Sequence, residues 1–452
     1  MNAVNRTIAV GFSAALLVSS ALANGTLVFT PGEGDFNWDA YDALASTDLR
    51  GNTISVLGPW DGPEQEAIEN VLAYFADATG ADVRYTGSDT VAEQAMRDAE
   101  MNKAAHISIF PQPRLAADMA KRGFLAPLGA ETEAWVNQHY AAGQSWADLG
   151  SFADADGNDT LYGFFYNVDV KSLVWYSPAA FDDAGYAVPN TLDELKALSD
   201  RIVSDGDTPW CMGIGDGDDS GWPATDWVSE LMLRSQPPEI YDQWVTNELA
   251  FNDPAVIAAL NAYGDFARTD GYVAGGTDAI ASTEYRDSPN GLFDLPPQCY
   301  LYRQASSKAD VVPDGAEFGV DADVFYLPAG TDVDLGTPVL AAGALFTLTH
   351  DSDAARALME FLKTPIAHEI GMAQGDFLSP HKGSNPALYP DPLQRKRGET
   401  LLGATTIRFS ASDLMPSEIG EGAFRTGMVD FTQGALADGV ARVIQERWDS
   451  PN

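Results

Sequence analysis

Thr53-Ile-Ser-Val-Leu57, Gly58-Pro-Trp-Asp-Gly-Pro63 and the run from Glu64 to Thr79 decide the fold. The first piece is short, apolar and rich in β-branched residues, as a strand requires. The second is a turn. The third carries Ile68, Val71, Leu72 and Phe75 at three-and-four spacing, the mark of an amphipathic helix, and Gly80 closes it as a C-cap. The unit then recurs. Asp82-Val-Arg-Tyr85 reads as a strand, Thr86-Gly-Ser-Asp-Thr90 as a loop, and Val91 to Asn102 as a helix. His106-Ile-Ser-Ile-Phe110 is a third strand, broken by Pro111-Gln-Pro113 before a helix from Arg114 to Arg122. Strand, loop and helix in succession predict an α/β fold with a parallel sheet and helical crossovers. Ligands of such sheets bind in the loops at the carboxyl ends of strands. Here those loops are Gly58 to Pro63, Thr86 to Thr90 and Pro111 to Pro113.

Further along, a second region opens at Tyr162-Gly-Phe-Phe-Tyr166, and Val168 to Tyr176 alternates well enough for a strand. Thr191 with Glu194 three residues on forms a capping box. Trp210 to Trp244 is unusually rich in Trp, Asp and Gly. Phe251-Asn-Asp-Pro254 begins a helix, Val339 to Leu348 reads as a buried strand, and helix signals dominate after Ala354.

Toward the start, Asn24 to Asn52 is a polar, Gly- and Asp-rich lead-in. Before it, Arg6, an apolar run from Ile8 to Val18 and Ala21-Leu22-Ala23 have the form of a secretory signal peptide, with cleavage expected after Ala23. The run is shorter than the roughly 20 residues that span a bilayer. A periplasmic location follows as an expectation.

The chain of 452 residues carries a formal net charge of −40, and loss of Arg6 with the leader takes it to −41. Such a charge repels phosphate backbones and anionic lipid, so neither nucleic acid nor stable membrane insertion is expected. Cys211 and Cys299 are the two cysteines. In an exported chain they can form one intramolecular disulfide; the other reading is two buried free thiols.

Catalytic patterns are weak. There is no Gly-x-Ser-x-Gly, no phosphate-binding loop and no cofactor motif, and His106, His139, His350, His368 and His381 lack metal-ligand spacing. Two carboxylates for glycoside cleavage can always be picked from 66 acidic residues, so that signal carries little. Aromatic and polar residues do meet in the expected loops: Trp60 with Asp61, Ser88 with Asp89, Gln112, the stretch Trp222-Pro-Ala-Thr-Asp226-Trp227, and Tyr285-Arg286-Asp287. A sugar offers flat apolar faces edged with hydroxyls. Aromatic rings cover the former through their large apolar surface, and charged groups bond the latter. Trp175 and Trp244 lie in periodic segments and are expected in the core.

Pro31-Gly-Glu-Gly34, Gly58-Pro-Trp60, Phe110-Pro-Gln-Pro113, Asp169-Val-Lys-Ser-Leu-Val-Trp-Tyr176, Trp222 to Trp227, Arg286-Asp-Ser-Pro289, Phe361 to His368 and Asp413-Leu-Met-Pro416 resemble stretches of the solute-binding components of ABC sugar importers. Within these the likeness is greatest to bacterial alpha-glucoside-binding proteins. The resemblance implies a maltose-binding-protein-like fold, two α/β lobes closing on sugar around a hinge of crossing strands. It also implies a monomer that delivers its ligand to a membrane permease and performs no chemistry. It places Trp60, Asp61, Phe110, Gln112, Arg114 and Asp169 at the cleft. In Gly422-Ala-Phe-Arg-Thr426, Arg425 stands where the family usually stacks a Trp; a guanidinium can stack or bond hydroxyls as well. The lobes are expected to comprise 24–165 with 305–360, and 166–304 with 361–452. The rival expectations are a secreted glycoside hydrolase and a binding protein for a polyol or compatible solute.

Overall fold

The computed structural model describes residues 27–305, 312–313, 315–330, 334–375 and 377–450; the leader and its expected cleavage point lie outside them. The strands among the described residues are β1 (Thr53–Gly58), β2 (Asp82–Gly87), β3 (Ile107–Phe110), β4 (Ser151–Ala153), β5 (Asp159–Leu161), β6 (Gly163–Val170), β7 (Leu173–Tyr176), β8 (Tyr302–Arg303), β9 (Asp323–Tyr326), β10 (Pro338–Leu348) and β11 (Thr406–Phe409). The main sheet runs β11-β10-β3-β1-β2, with β6 also paired to β10. β1 lies parallel to both β2 and β3, as the repeated strand–loop–helix pattern requires. The crossover helices are Gly62–Thr79 and Val91–Glu100, and the helix Pro113–Lys121 follows β3. Gly80 takes φ +75° and caps the first of these, as expected.

β10 is the spine of the molecule. Its second half pairs antiparallel with β3, its first half pairs parallel with β11, and β6 runs antiparallel along it through a bulge at Gly343 to Leu345. The chain leaves β6 at Val170 and enters β7, which belongs to a separate three-stranded sheet, β8-β7-β9. The single strand expected over Val168 to Tyr176 is therefore two strands broken at Lys171-Ser172. Ser172 Oγ accepts the Leu340 N–H at 2.8 Å, holding the break against β10.

Helix starts follow their caps. Thr191 Oγ1 accepts the Glu194 N–H at 3.1 Å, while the Glu194 carboxylate reaches one residue beyond the cap to the Asn190 N–H at 2.7 Å. Asp253 caps the helix Pro254–Ala267 through the Ala255 N–H at 2.8 Å.

Two hydrophobic cores result. One packs around the main sheet, with Ile54, Phe75, Ile109, Phe165 and Phe346 fully buried; the other packs around β7 and the helices Trp222–Ser235, Pro254–Ala267 and Ala437–Trp448, with Trp210, Trp227 and Trp244 inside. The cores divide the chain otherwise than the lobe boundaries expected from sequence. Phe361, Ile366, Ile370 and Ile407 join the first core, and Phe325, Leu327 and Leu340 join the second. The reason is β11: it returns to the main sheet beside β10 and carries the preceding helices with it. Trp175 and Trp244 are fully buried, as expected. His368 and His381 are buried too, and burial pushes both imidazoles below the usual histidine range, His381 to about 4.

Candidate functional site

The first wall of the site is built at the carboxyl edge of β1, β2 and β3. Gly58 ends β1, and its carbonyl accepts the Ser88 N–H at 2.9 Å, which ties the first two loops together. Tyr85 Oη accepts the Trp60 N–H at 3.0 Å and donates to the Trp60 carbonyl at 3.2 Å. Gly87 closes the same joint: a Cβ there would lie 2.1 Å from the Trp60 carbonyl oxygen, so only glycine fits. Trp60 is thus fixed at its backbone while its half-buried ring sits 6.2 Å from Phe346. Beside it lies a cavity of about 150 Å³ lined in part by Tyr166, Asn167, Gln374 and Phe377. Asp61 is exposed and does not cap the helix it precedes, so its carboxylate is not spent on backbone. Ser88 is half-buried with its hydroxyl 3.4 Å from Thr90 Oγ1, and Asp89 is exposed. Gln112 is half-buried at the start of Pro113–Lys121. Asp169 is half-buried on β6.

Arg114 bridges the two halves. Its guanidinium lies 3.7 Å from Glu421, in the turn Glu418–Phe424 that packs with the second core, and 3.9 Å from Asp118.

The second wall surrounds Trp222, the first residue of Trp222–Ser235. Its Nε1–H donates to Asp216 Oδ2 at 2.9 Å, and Tyr285 meets its ring edge-on at 4.8 Å. Arg286 bonds Asp216 Oδ1 at 2.9 Å and lies 4.3 Å over the Tyr285 ring; the bond to Asp216 holds its pKa above the usual arginine value. Asp287 is exposed and does not cap the short helix after it. Arg425 pairs with Asp219 at 2.5 Å. Gly221, at φ +101°, lets the Arg425 backbone approach; a Cβ there would lie 2.3 Å from the Arg425 carbonyl oxygen.

Beneath that wall runs a buried ion network. Lys171, in the break between β6 and β7, reaches Asp226 at 3.1 Å and Asp413 at 3.5 Å. Burial opposes the charge on Lys171, but Asp226 and Asp413 overcome it and raise its pKa. Burial likewise raises Asp413, against the pull of Lys171. Arg303 bonds Glu230 at 3.2 Å and lies 3.9 Å from Asp226, and Glu230 also pairs with Arg234. Three cations thus face three carboxylates.

Of the residues expected at the site, Trp60, Asp61, Ser88 and Gln112 share one edge, and Trp222 and Arg286 share a second wall. Three are placed elsewhere. Phe110 is fully buried in β3 and packs in the first core. Trp227 is a core residue, edge-on to Trp210 at 5.3 Å. Asp226 is buried against Lys171 and holds the network rather than an open face. Sequence reasoning missed Lys171, Asp216, Tyr166 and Asn167. All four stand within or beside the aromatic and polar stretches of the sequence, but nothing local marks which side chains face outward.

The chain matches a protein-family model, described as bacterial extracellular solute-binding protein, over residues 61–369. The chain belongs to that family. Relatives extend the match along nearly the whole length. This solute-binding protein is 51% identical over 427 residues, 94% of its own length and 93% of the relative's, to the alpha-glucosides-binding periplasmic protein AglE of Rhizobium meliloti (strain 1021). It is 42% identical over 396 residues, 87% of its length and 92% of the relative's, to the osmoprotective compounds-binding protein GgtB of Synechocystis sp.. Among solved structures it resembles the bacterial solute receptor AcbH at a TM-score of 0.74 with 16% identity, covering 88% of this chain and 99% of that one. It also resembles the apo form of RafE from Streptococcus pneumoniae at 0.71 with 13% identity, over 89% and 99% of the two chains. These likenesses give the fold, the two-lobed one of maltose-binding-protein type. The solute-binding protein belongs to importers and is not an enzyme, which ends the hydrolase reading. Among the described residues no helix is long and apolar enough to cross a membrane.

Proposed function

We propose that this solute-binding protein captures an alpha-glucoside of the maltose, trehalose or sucrose type and delivers it, as a monomer, to the permease of an ABC importer. The observation that carries the reading is the 51% identity, over 94% of the chain, to a protein named for alpha-glucosides. The site supports it: each wall offers a half-buried tryptophan beside acidic side chains, the pairing a pyranose ring requires. Ligand would shift the balance of open and closed forms, and closure would present both lobes to the permease. The second reading, a polyol or compatible solute, is favoured by the 42% identity to a protein named for osmoprotective compounds. A thermal-shift panel separates them, because a ligand of the native state raises the melting temperature by mass action. Maltose, trehalose or sucrose should raise it at concentrations where glycerol and sorbitol do not. A rise with the polyols alone would select the second reading.

Trp60→Ala should weaken sugar binding by ~1–3 kcal/mol, about the value of burying one large apolar side chain. Melting of the unliganded protein should change by much less than the ~3–5 kcal/mol of a core aromatic truncation, since the ring is only half-buried. Calorimetric titration beside unliganded melting tests both halves. Unchanged affinity with a large stability loss would make Trp60 a packing residue.

Mature protein should begin at Asn24 and leave the cell on osmotic shock; an intact mass that still includes Met1 to Ala23 would reject it.

A further inference from the structure

We propose that Asp216 is a positioning residue for the ligand: it fixes Trp222 as the stacking face of the second lobe. The inference rests on the sugar-binding reading above and adds to it a residue that does not itself touch sugar.

An indole has one hydrogen-bond donor, so whichever acceptor takes it sets the direction of the ring's N–H, and a second contact along the ring then fixes its plane. Here that acceptor is Asp216 Oδ2 at 2.9 Å. Asp216 is itself held twice. Its other oxygen takes the Arg286 guanidinium at 2.9 Å, and its backbone N–H donates to Ser220 Oγ at 3.0 Å. The two loops that meet at this point are joined through the backbone as well. The Gly215 N–H donates to the Thr283 carbonyl at 2.9 Å, and the Tyr285 N–H donates to the Gly215 carbonyl at 3.0 Å. Tyr285 then meets the Trp222 ring edge-on at 4.8 Å, and Lys171 Nζ lies 5.9 Å from its centre. The ring is therefore fixed by its nitrogen and along its edge, while it stays half-buried.

Its place in the fold fits a ligand-facing role. Thr225, one turn further along the same helix, bonds Ser412 at 3.1 Å, and the segment from Ala411 onward meets the first-lobe helix Pro113–Lys121. Trp222 thus opens a helix whose next turn borders the segment that joins the two cores, and its ring lies near Lys171 in the break between β6 and β7. Arg425, where the family resemblance expects an aromatic ring, is engaged by Asp219 and by the close backbone approach at Gly221. Trp222 supplies a stacking surface a short distance away along the same wall.

The test is a double-mutant cycle on the full-length mature protein. Asp216→Ala should weaken binding of maltose, trehalose or sucrose about tenfold, the scale of one hydrogen bond to a charged acceptor. Asp216→Asn, which keeps an acceptor for the indole, should lose less. In a Trp222→Phe background, which keeps the ring face but has no N–H to hold, Asp216→Ala should cost less than twofold more. Equal losses in both backgrounds would overturn the proposal. A readout without sugar runs in parallel. In protein labelled with 5-fluorotryptophan, the Trp222 resonance, assigned by its loss in Trp222→Phe, should shift or broaden in Asp216→Ala. An unchanged resonance also overturns the proposal. If wild-type protein binds none of the three sugars, the functional reading fails, and the fluorine signal still decides what Asp216 does to Trp222.

Discussion

Glu230→Ala is expected to lower the free energy of unfolding by about 3–5 kcal/mol, the cost of leaving buried charges without their partner. Glu230 is fully buried. Its carboxylate accepts Ser172 Oγ at 2.8 and 3.0 Å and Arg303 at 3.2 Å, and it pairs with Arg234. Arg234 would keep its bonds to the Leu327 and Pro338 carbonyls at 3.0 and 2.7 Å, but both guanidiniums would remain buried with one carboxylate fewer between them. The three-against-three balance of the network would become a surplus of positive charge in a low dielectric. Glu230→Gln keeps the shape and part of the hydrogen bonding, so it should lose less than the alanine variant. Chemical denaturation of the two variants beside wild type gives the comparison. A loss below about 1 kcal/mol for Glu230→Ala would show that solvent reaches the network. Ser172 and Lys171 lie in the break between the two sheets, so the same variant should also loosen the junction of the lobes, and its sugar affinity is worth measuring in the same series.

Replacing Cys211 and Cys299 together by alanine should cost about 4 kcal/mol, within the roughly 2–5 kcal/mol range for native bridges. The two cysteines are bonded, with Cα atoms 5.3 Å apart and a sequence separation of 88. In the chain-entropy account, a bridge acts mainly by restricting the unfolded chain, and a loop of this length is long enough for a large effect. The folded surroundings support that account. Cys211 N–H donates to the Leu301 carbonyl at 2.8 Å, and Trp210 bridges both Val273 and Leu301, so the backbone already holds the two segments together without the sulfurs. The double variant should therefore keep its native spectrum and ligand affinity while its denaturation midpoint falls. A thiol count on unfolded, unreduced wild-type protein should find no free thiol. Two free thiols would remove the bridge and the stability prediction with it.

The order of elements along the first lobe was legible because its signals are local. A strand, a turn and an amphipathic helix each declare themselves within a few residues, and Gly80 and Thr191 mark helix ends by chemistry that acts over one turn. Two cysteines allow one internal bridge, but whether they form it or stay as buried thiols was decided by the fold, which brings them together. Long aromatic residues in periodic segments, Trp175 and Trp244, were readable as core for the same reason.

What the local pattern could not carry was which face of a motif is open. Trp222, Asp226 and Trp227 lie within six residues on one helix. Trp222 is at the open end, Asp226 sits one turn deeper against Lys171, and Trp227 turns away toward Trp210 and Phe266. Those partners come from distant parts of the chain, so burial of the second and third is decided by packing and not by composition. The same holds for Phe110, an aromatic at the end of a strand that could face either a loop or the core, and that is fully buried in the first core.

By itself, the sequence determined the α/β class, the parallel arrangement of β1, β2 and β3, and the strand-end loops that carry Trp60 and Asp61; the antiparallel entry of β10 and β6 into the same sheet, and the closing of the Cys211–Cys299 bridge, came with the fold. Tertiary structure alone decided the division of the chain between the two cores, the break at Lys171-Ser172, and the clamp of Asp216 on Trp222. The physical reason is range. Turns, caps and periodicity act between neighbours, whereas the pairing of Val339 with Ile407 on β10 and β11, or of Lys171 with Asp413, joins residues whose meeting depends on the whole chain being folded.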